Sequence, residues 1–147
     1  MRYVTPTATP PDYRDLSVKE CFDRLALFCV GRVAVALPDE APLVVPVNFV
    51  LDGEVIVFRS GSGEKLRRLR QQPVSFQVDH VDVFRRSGWS VLVQGVAYEA
   101  TPAEVAHLGI EAWAPGEREV WVRLVASSVS GRTIVPTDFP LDGRAYI

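Results

Sequence analysis

The sequence predicts a mainly β fold, with six or seven antiparallel strands closed into a barrel and a few short helices. Two observations carry this expectation. Apolar segments of similar length recur along the chain with short turns between them, and Asp52-Gly53 is a strong hairpin signal between two of these segments. Several segments are also apolar at successive positions, as in LVVPV (Leu43 to Val47) and VIVF (Val55 to Phe58). A sheet closing on itself buries one face inside the barrel. The other face then needs a helix or a second subunit over it, and on so small a chain a homodimer is the simplest cover.

The elements follow in order. Residues 1–15, rich in Pro and Thr at the start, read as an extended N-terminal arm, and residues 16–147 as one domain. Ser17 with Glu20 fits a capping box, opening a helix from Val18 to Phe28 whose Phe22, Leu25 and Phe28 face the core. Arg32 to Leu37 reads as a strand, followed by a turn at PDEAP. Leu43 to Leu51 and Glu54 to Ser60 form the hairpin about Asp52-Gly53. A basic helix opens at Glu64-Lys65 and ends by Pro73. Val74, Phe76 and Val78 alternate with Ser75, Gln77 and Asp79, the pattern of a half-buried strand. Trp89 to Ala100 is a long strand with Gly95 inside it, the mark of a bulge or tight bend. Thr101, Pro102 and Glu104 start a short helix. Glu119 to Ile134 is the last strand region, with an interruption expected near Ser127 to Gly131.

Composition narrows the function. The chain has 147 residues, 48% of them hydrophobic and 23% charged, ordinary for a soluble globular domain. A net charge of −2 argues against a general nucleic-acid binder. No apolar run reaches 18 residues, so no membrane span is expected, and the start lacks the apolar core of a signal peptide. Cys21 and Cys29 fall in one predicted helix, roughly 12 Å apart at 1.5 Å per residue. That is too far for a disulfide. Buried free thiols and a cytoplasmic location are expected, and no metal-ligand spacing is present.

The segment FRSGSGEKLRRLRQQP, Phe58 to Pro73, concentrates the chemistry. An apolar strand ends in Arg59-Ser60, a Gly-Ser-Gly loop follows, and a helix opens at Glu64-Lys65. Helix N-termini present unpaired N–H groups, and glycines let a ligand approach the backbone. With Arg59, Ser60, Ser62 and Lys65 these parts make a phosphate cradle, although the spacing is not that of a Walker loop. The alternative is a surface loop leading into a solvated basic helix.

Laid in order, the chain resembles the pyridoxamine 5'-phosphate oxidase-like flavoproteins, with their split-barrel fold. The resemblance runs from Leu16 to Ile134 through GRVAVAL, VVPVNFVLDGEVIVFRSGSGEKL, QQPVSFQVD, SGWSVLVQGVA and SGRTI. It implies flavin mononucleotide (FMN) in a cleft between the subunits of a homodimer. Pro46, Val47, Asn48 and Phe49 then match the segment along the isoalloxazine ring, where Asn48 would otherwise be a polar residue on a sheet face. Arg59 and Ser60 match a strand-end pair at the cofactor, and Lys65 a lysine on its phosphate. Ser62 falls in a loop one residue shorter than in the oxidases. Ser90 matches a polar flavin contact, and Trp89 either walls the ring or packs the dimer interface.

Two departures limit the resemblance. The oxidases proper end with an arginine and a histidine for their substrate, whereas this chain has no histidine after His107. VVPVN also holds no cation where their flavin-facing strand carries an arginine. His80, His107, Asp79 and Asp82 read as structural or solvated groups, not an acid/base pair. The expectation is an FMN-binding oxidoreductase acting on an unidentified small molecule, not a vitamin-B6 oxidase. A deazaflavin-dependent reductase, a flavin- or haem-storing module and a cofactor-free dimer remain as alternatives.

Overall fold

A computed structural model describes residues 12–60, 72–108 and 120–135. Its elements are β1 (Asp12–Asp15), α1 (Val18–Leu25), β2 (Val30–Val35), β3 (Leu43–Asp52), β4 (Val55–Ser60), β5 (Pro73–Asp82), β6 (Ser87–Glu99), α2 (Pro102–Val105) with a 3-10 turn at Ala106–Leu108, and β7 (Val120–Val135). The sheet order is β1-β7-β4-β3-β2-β5-β6, and β6 pairs back onto β7. Six strands therefore close into an antiparallel barrel, and β1 adds to the far half of β7, with Asp12 opposite Val135. Residues 12–15 of the predicted arm are thus a strand. Residues 1–11, the basic helix and the C-terminal end lie outside the described residues.

Local chemistry explains the elements and the departures from expectation. Both capping boxes form: Ser17 Oγ accepts from Glu20 N–H, Thr101 Oγ1 accepts from Glu104 N–H, and each glutamate carboxylate accepts from its cap residue's N–H. Helix α1 ends at Leu25, three residues earlier than predicted. Leu27 and Phe28 donate to carbonyls three residues back, which tightens the last turn. The Cys29 carbonyl then accepts from Phe49 N–H at 2.9 Å and joins the sheet. Cys29 is consequently exposed, and only Cys21 is buried as expected. Burial pushes the Cys21 thiol up from its ordinary range.

Strand β5 runs on to Asp82, so Asp79 is a strand residue and not part of a turn. Strand β7 is continuous, and the expected interruption is instead a bulge in its register with β6. Gln94 faces Ser128 and Gly95 faces Ala126, which leaves Ser127 as the extra residue, its hydroxyl donating to the Gln94 carbonyl at 3.1 Å. A side chain at position 95 would collide with the Val125 carbonyl, so the seam that closes the barrel needs glycine there.

The core fills the barrel. Leu25, Val33, Ile56, Phe58, Phe76, Val91, Val93 and Leu124 are fully buried. Phe49 and Phe76 meet edge-on at 5.0 Å. Gly31 lies under the Phe76 ring, where a Cβ would clash.

Candidate functional site

Period-two alternation fixes which side chains leave the barrel. On β2, β3, β5 and β6 the buried residues include Val33, Phe49, Phe76 and Val91, so Arg32, Asn48, Gln77 and Ser90 project outward. The register aligns them. Arg32 sits opposite Pro46 on one side and Gln77 on the other, and Gln77 sits opposite Leu92. Beside this row, Asn48 pairs with Val30 and Asp79 with Ser90. At about 4.8 Å per strand, four strands give a surface about 14 Å wide. Its floor is apolar, with Val30, Pro46 and Leu92, and its polar groups are Asn48, Arg32, Gln77, Asp79 and Ser90. Arg32 Nη1 lies 3.5 Å from Asp79 Oδ1, with side chains 59% and 44% exposed.

The structure distributes the sequence-predicted residues unevenly over this surface. Pro46 and Asn48 are exposed on β3, whereas Val47 and Phe49 point into the core between them. Those two can offer a ligand only backbone groups, and the Phe49 N–H already bonds Cys29. Ser90 is exposed on β6. Its neighbour Trp89 points to the inner side, where Phe28 meets it edge-on at 5.1 Å and the Arg24 guanidinium lies 5.7 Å over its ring. Trp89 thus packs under α1. Arg59 lies on β4 opposite Trp121 of β7, its guanidinium 5.7 Å over the indole. Ser60 is the last residue of β4 and pairs with Val120. Ser62 and Lys65 lie outside the described residues. Arg32, Gln77 and Asp79 were not among the predicted site residues. The alternation in VSFQVD marks Gln77 and Asp79 as outward, but only the β2–β5 register brings Arg32 beside them.

Other candidate chemistry falls elsewhere. His107 and Arg123 converge on Asp52: Arg123 Nη1 donates to Oδ2 at 2.7 Å, and His107 Nε2 lies 3.1 Å from Oδ1. The Arg123 bond first, and the His107 contact second, hold the Asp52 carboxyl below the usual carboxylate range. This cluster ties the 3-10 turn to the β3–β4 hairpin and to β7. His80 packs against Phe28, ring centroids 5.6 Å apart. Among the described residues no group of three His, Cys, Asp or Glu side chains could hold a metal ion, and no helix is long and apolar enough to cross a membrane. A depression of about 490 Å³ lies beside the bulge, lined by Pro42, Pro73, Gln94, Ser127 and their neighbours. It includes none of the predicted cofactor residues. Its Gln94 amide already donates to Ser75 Oγ at 3.3 Å, so the Asn48–Ser90 surface has more unspent polar groups to offer a ligand.

The family model described as pyridoxamine 5'-phosphate oxidase matches residues 17–133. The chain belongs to this family. A solved protein of unknown function from Corynebacterium diphtheriae is 33% identical, with 84% of this chain and 98% of that one covered and a TM-score of 0.71. The FAD-binding protein from Mycobacterium smegmatis is 32% identical, with coverages of 82% and 97% and a TM-score of 0.69. An FAD-binding protein from Mesorhizobium loti is 28% identical, with coverages of 84% and 98% and a TM-score of 0.69. No functionally curated protein matches the chain. The split barrel expected from the sequence is the fold of this family, and its closed six-strand core with one added strand is what the chain forms.

Proposed function

We propose that the protein binds a flavin nucleotide on the outward surface of β3, β2, β5 and β6. The observation that carries this reading is the makeup of that surface: an apolar floor of Val30, Pro46 and Leu92 edged by Asn48, Arg32, Gln77, Asp79 and Ser90. A planar heteroaromatic ring needs such a combination, apolar area for its faces and hydrogen-bonding groups for its rim. The donor set fits the group, since amides, a guanidinium, a carboxylate and a hydroxyl together offer both donors and acceptors. FMN and FAD share the ring and the first phosphate. FMN suits the Arg59–Lys65 cradle read from the sequence, and FAD is the flavin named for two of the similar proteins.

When bound, the flavin ring itself carries hydride, so no protein nucleophile is required. The protein would bind and orient the ring and keep one face dry, as in a small oxidoreductase. The reading includes a homodimer, because the outward side of these strands leaves Val30 and Val44 more than half exposed and a second copy would cover them.

Fluorescence titration with FMN, FAD and riboflavin, beside a visible spectrum of the purified protein, tests this reading. Tight FMN or FAD binding with riboflavin at least about tenfold weaker is expected, since charge-assisted bonds to the phosphate are each worth about 1.5–3 kcal/mol. A Soret band would move the assignment to haem. Binding of a deazaflavin but of neither flavin would make it a deazaflavin protein. Binding of none would end the reading. Sedimentation velocity at a flavin wavelength tests the dimer, because flavin bound to a monomer excludes a shared site.

A further inference from the structure

We propose that Arg32 and Asp79 together read the pyrimidine edge of the flavin ring, an inference that rests on the flavin reading above. That edge runs C2=O, N3–H, C4=O, which is acceptor, donor, acceptor. A guanidinium has only donors and a carboxylate only acceptors. Side by side they offer the complement: Arg32 to a ring carbonyl, Asp79 to the N3–H. The Asn48 amide and the Gln77 amide stand on the flanking strands, and either can donate to the remaining carbonyl.

The geometry of the pair supports this role over a plain surface ion pair. Arg32 and Asp79 approach only to 3.5 Å. Charge-assisted N–H···O bonds close to about 2.7–2.9 Å, as Lys19–Asp23 and Arg123–Asp52 do at 2.7 Å and Arg14–Glu20 at 2.9 Å. Among the described residues neither Arg32 nor Asp79 makes a hydrogen bond that meets normal geometry, so the donors of one and the acceptors of the other remain available. Two other ion pairs are as long, Arg132–Asp15 at 3.5 Å and Arg85–Asp82 at 3.7 Å. Arg85–Asp82 stands outside the rows that hold Asn48, Gln77 and Ser90, and Arg132 continues the Ser90 row onto β7 with its partner Asp15 on β1, outside the surface of β3, β2, β5 and β6. Arg32 also supplies, from the neighbouring strand, a cation that VVPVN lacks. It sits directly opposite Pro46, so an arginine on β2 occupies the surface that β3 leaves without charge.

The ligand class follows from the edge. A flavin and a deazaflavin present the same imide and should both be accepted. A tricyclic ring whose N3 carries a methyl group should be rejected.

The test compares FMN with N3-methyl-FMN by fluorescence titration in the wild-type chain, Arg32→Ala and Asp79→Ala, with a melting curve of each variant. Wild type should prefer FMN by about tenfold, the value of one charge-assisted bond to N3–H. Asp79→Ala should lose that preference. Arg32→Ala should weaken both ligands about tenfold while keeping the preference. Each preference is a ratio within one protein, so a variant that folds less completely still reports it. An unchanged preference in Asp79→Ala, or no preference in wild type, overturns the pair's role while leaving flavin binding intact. Failure of wild type to bind FMN at all overturns the flavin reading, and this proposal with it.

Discussion

The two faces of β3, β2, β5 and β6 share one backbone and do opposite work. Inside, Phe49, Val33, Phe76 and Val91 are at most 3% exposed and interlock without polar atoms. Outside, Asn48, Arg32, Gln77, Asp79 and Ser90 carry polar groups that the protein itself hardly uses. The contrast extends to ions. Asp52 and Arg123 bond at 2.7 Å with a quarter or less of either side chain exposed, whereas Arg32 and Asp79 stay 3.5 Å apart in solvent. A group that is satisfied within the chain holds the chain together, and one left unsatisfied has its bonds to give to a ligand. Because alternate residues serve the two tasks, stability and binding should be separable by moving one position along a strand.

The sharpest break lies inside. Phe76→Ala should cost about 3–5 kcal/mol, since it empties a fully buried site that Phe49 and Gly31 close around. Urea unfolding monitored by tryptophan fluorescence would measure it. A loss under about 1 kcal/mol would mean that the barrel interior relaxes where close packing says it cannot.

The seam comes next. Gly95→Ala should cost about 1–3 kcal/mol, because the added Cβ meets the backbone carbonyl of Val125, which cannot swing aside as a side chain would. The equivalent change at Gly53, whose φ is +60° and which has open space around it, should cost less, roughly 1 kcal/mol from the strained turn alone. If the two variants melt alike, the clash at the bulge is relieved by some shift of β7.

These inner features were the most legible part of the sequence. The Asp52-Gly53 hairpin, both capping boxes and the bulge at Gly95 each follow from local residue chemistry. Alternation in VSFQVD told which residues face inward. Register was not legible, because pairing between β2 and β5 depends on long-range closure of the barrel and not on any local signal. That is why Asp79 read as part of a solvated turn, and why Arg32 went unnoticed beside Asn48. The helix end at Leu25 was missed for a similar reason: Cys29 leaves the helix to accept a bond from Phe49, a residue 20 positions on. Four consecutive residues, Pro46 to Phe49, match the cofactor segment, and because a strand turns only alternate side chains to one ligand, Val47 and Phe49 have only backbone groups to offer there.

The Asp52 cluster gives a pH-dependent contrast. Its carboxyl titrates lower folded than unfolded, held down by Arg123 and then His107. The unfolded chain therefore binds this proton first as pH falls. The stability it contributes is complete above the unfolded value of about 4 and is lost as pH drops through the lower folded value. Denaturation midpoints measured between pH 6 and pH 2 should fall less steeply in Asp52→Asn than in wild type. Equal slopes in wild type and Asp52→Asn would show that the cluster adds nothing to the folded state.

The smallest effect on stability should come with a clear effect on binding. Asn48 is exposed, and its side chain makes no hydrogen bond among the described residues, so Asn48→Ala should change stability by no more than about 0.5 kcal/mol. Its amide nevertheless borders the apolar floor beside Val30, one residue along β2 from Gly31 and two from Arg32. Losing one neutral hydrogen bond to a ring edge is worth about 0.5–1.5 kcal/mol, so flavin should bind roughly 3–10-fold more weakly. Val47→Ala, one position away and 7% exposed, should do the reverse: it should lower the urea midpoint and leave the affinity of the folded protein nearly unchanged. Titrating both variants at a temperature where each is fully folded isolates the two faces. If Val47→Ala weakens flavin as much as Asn48→Ala does, the inner and outer faces are coupled through the strand, and the outward surface alone does not define the site.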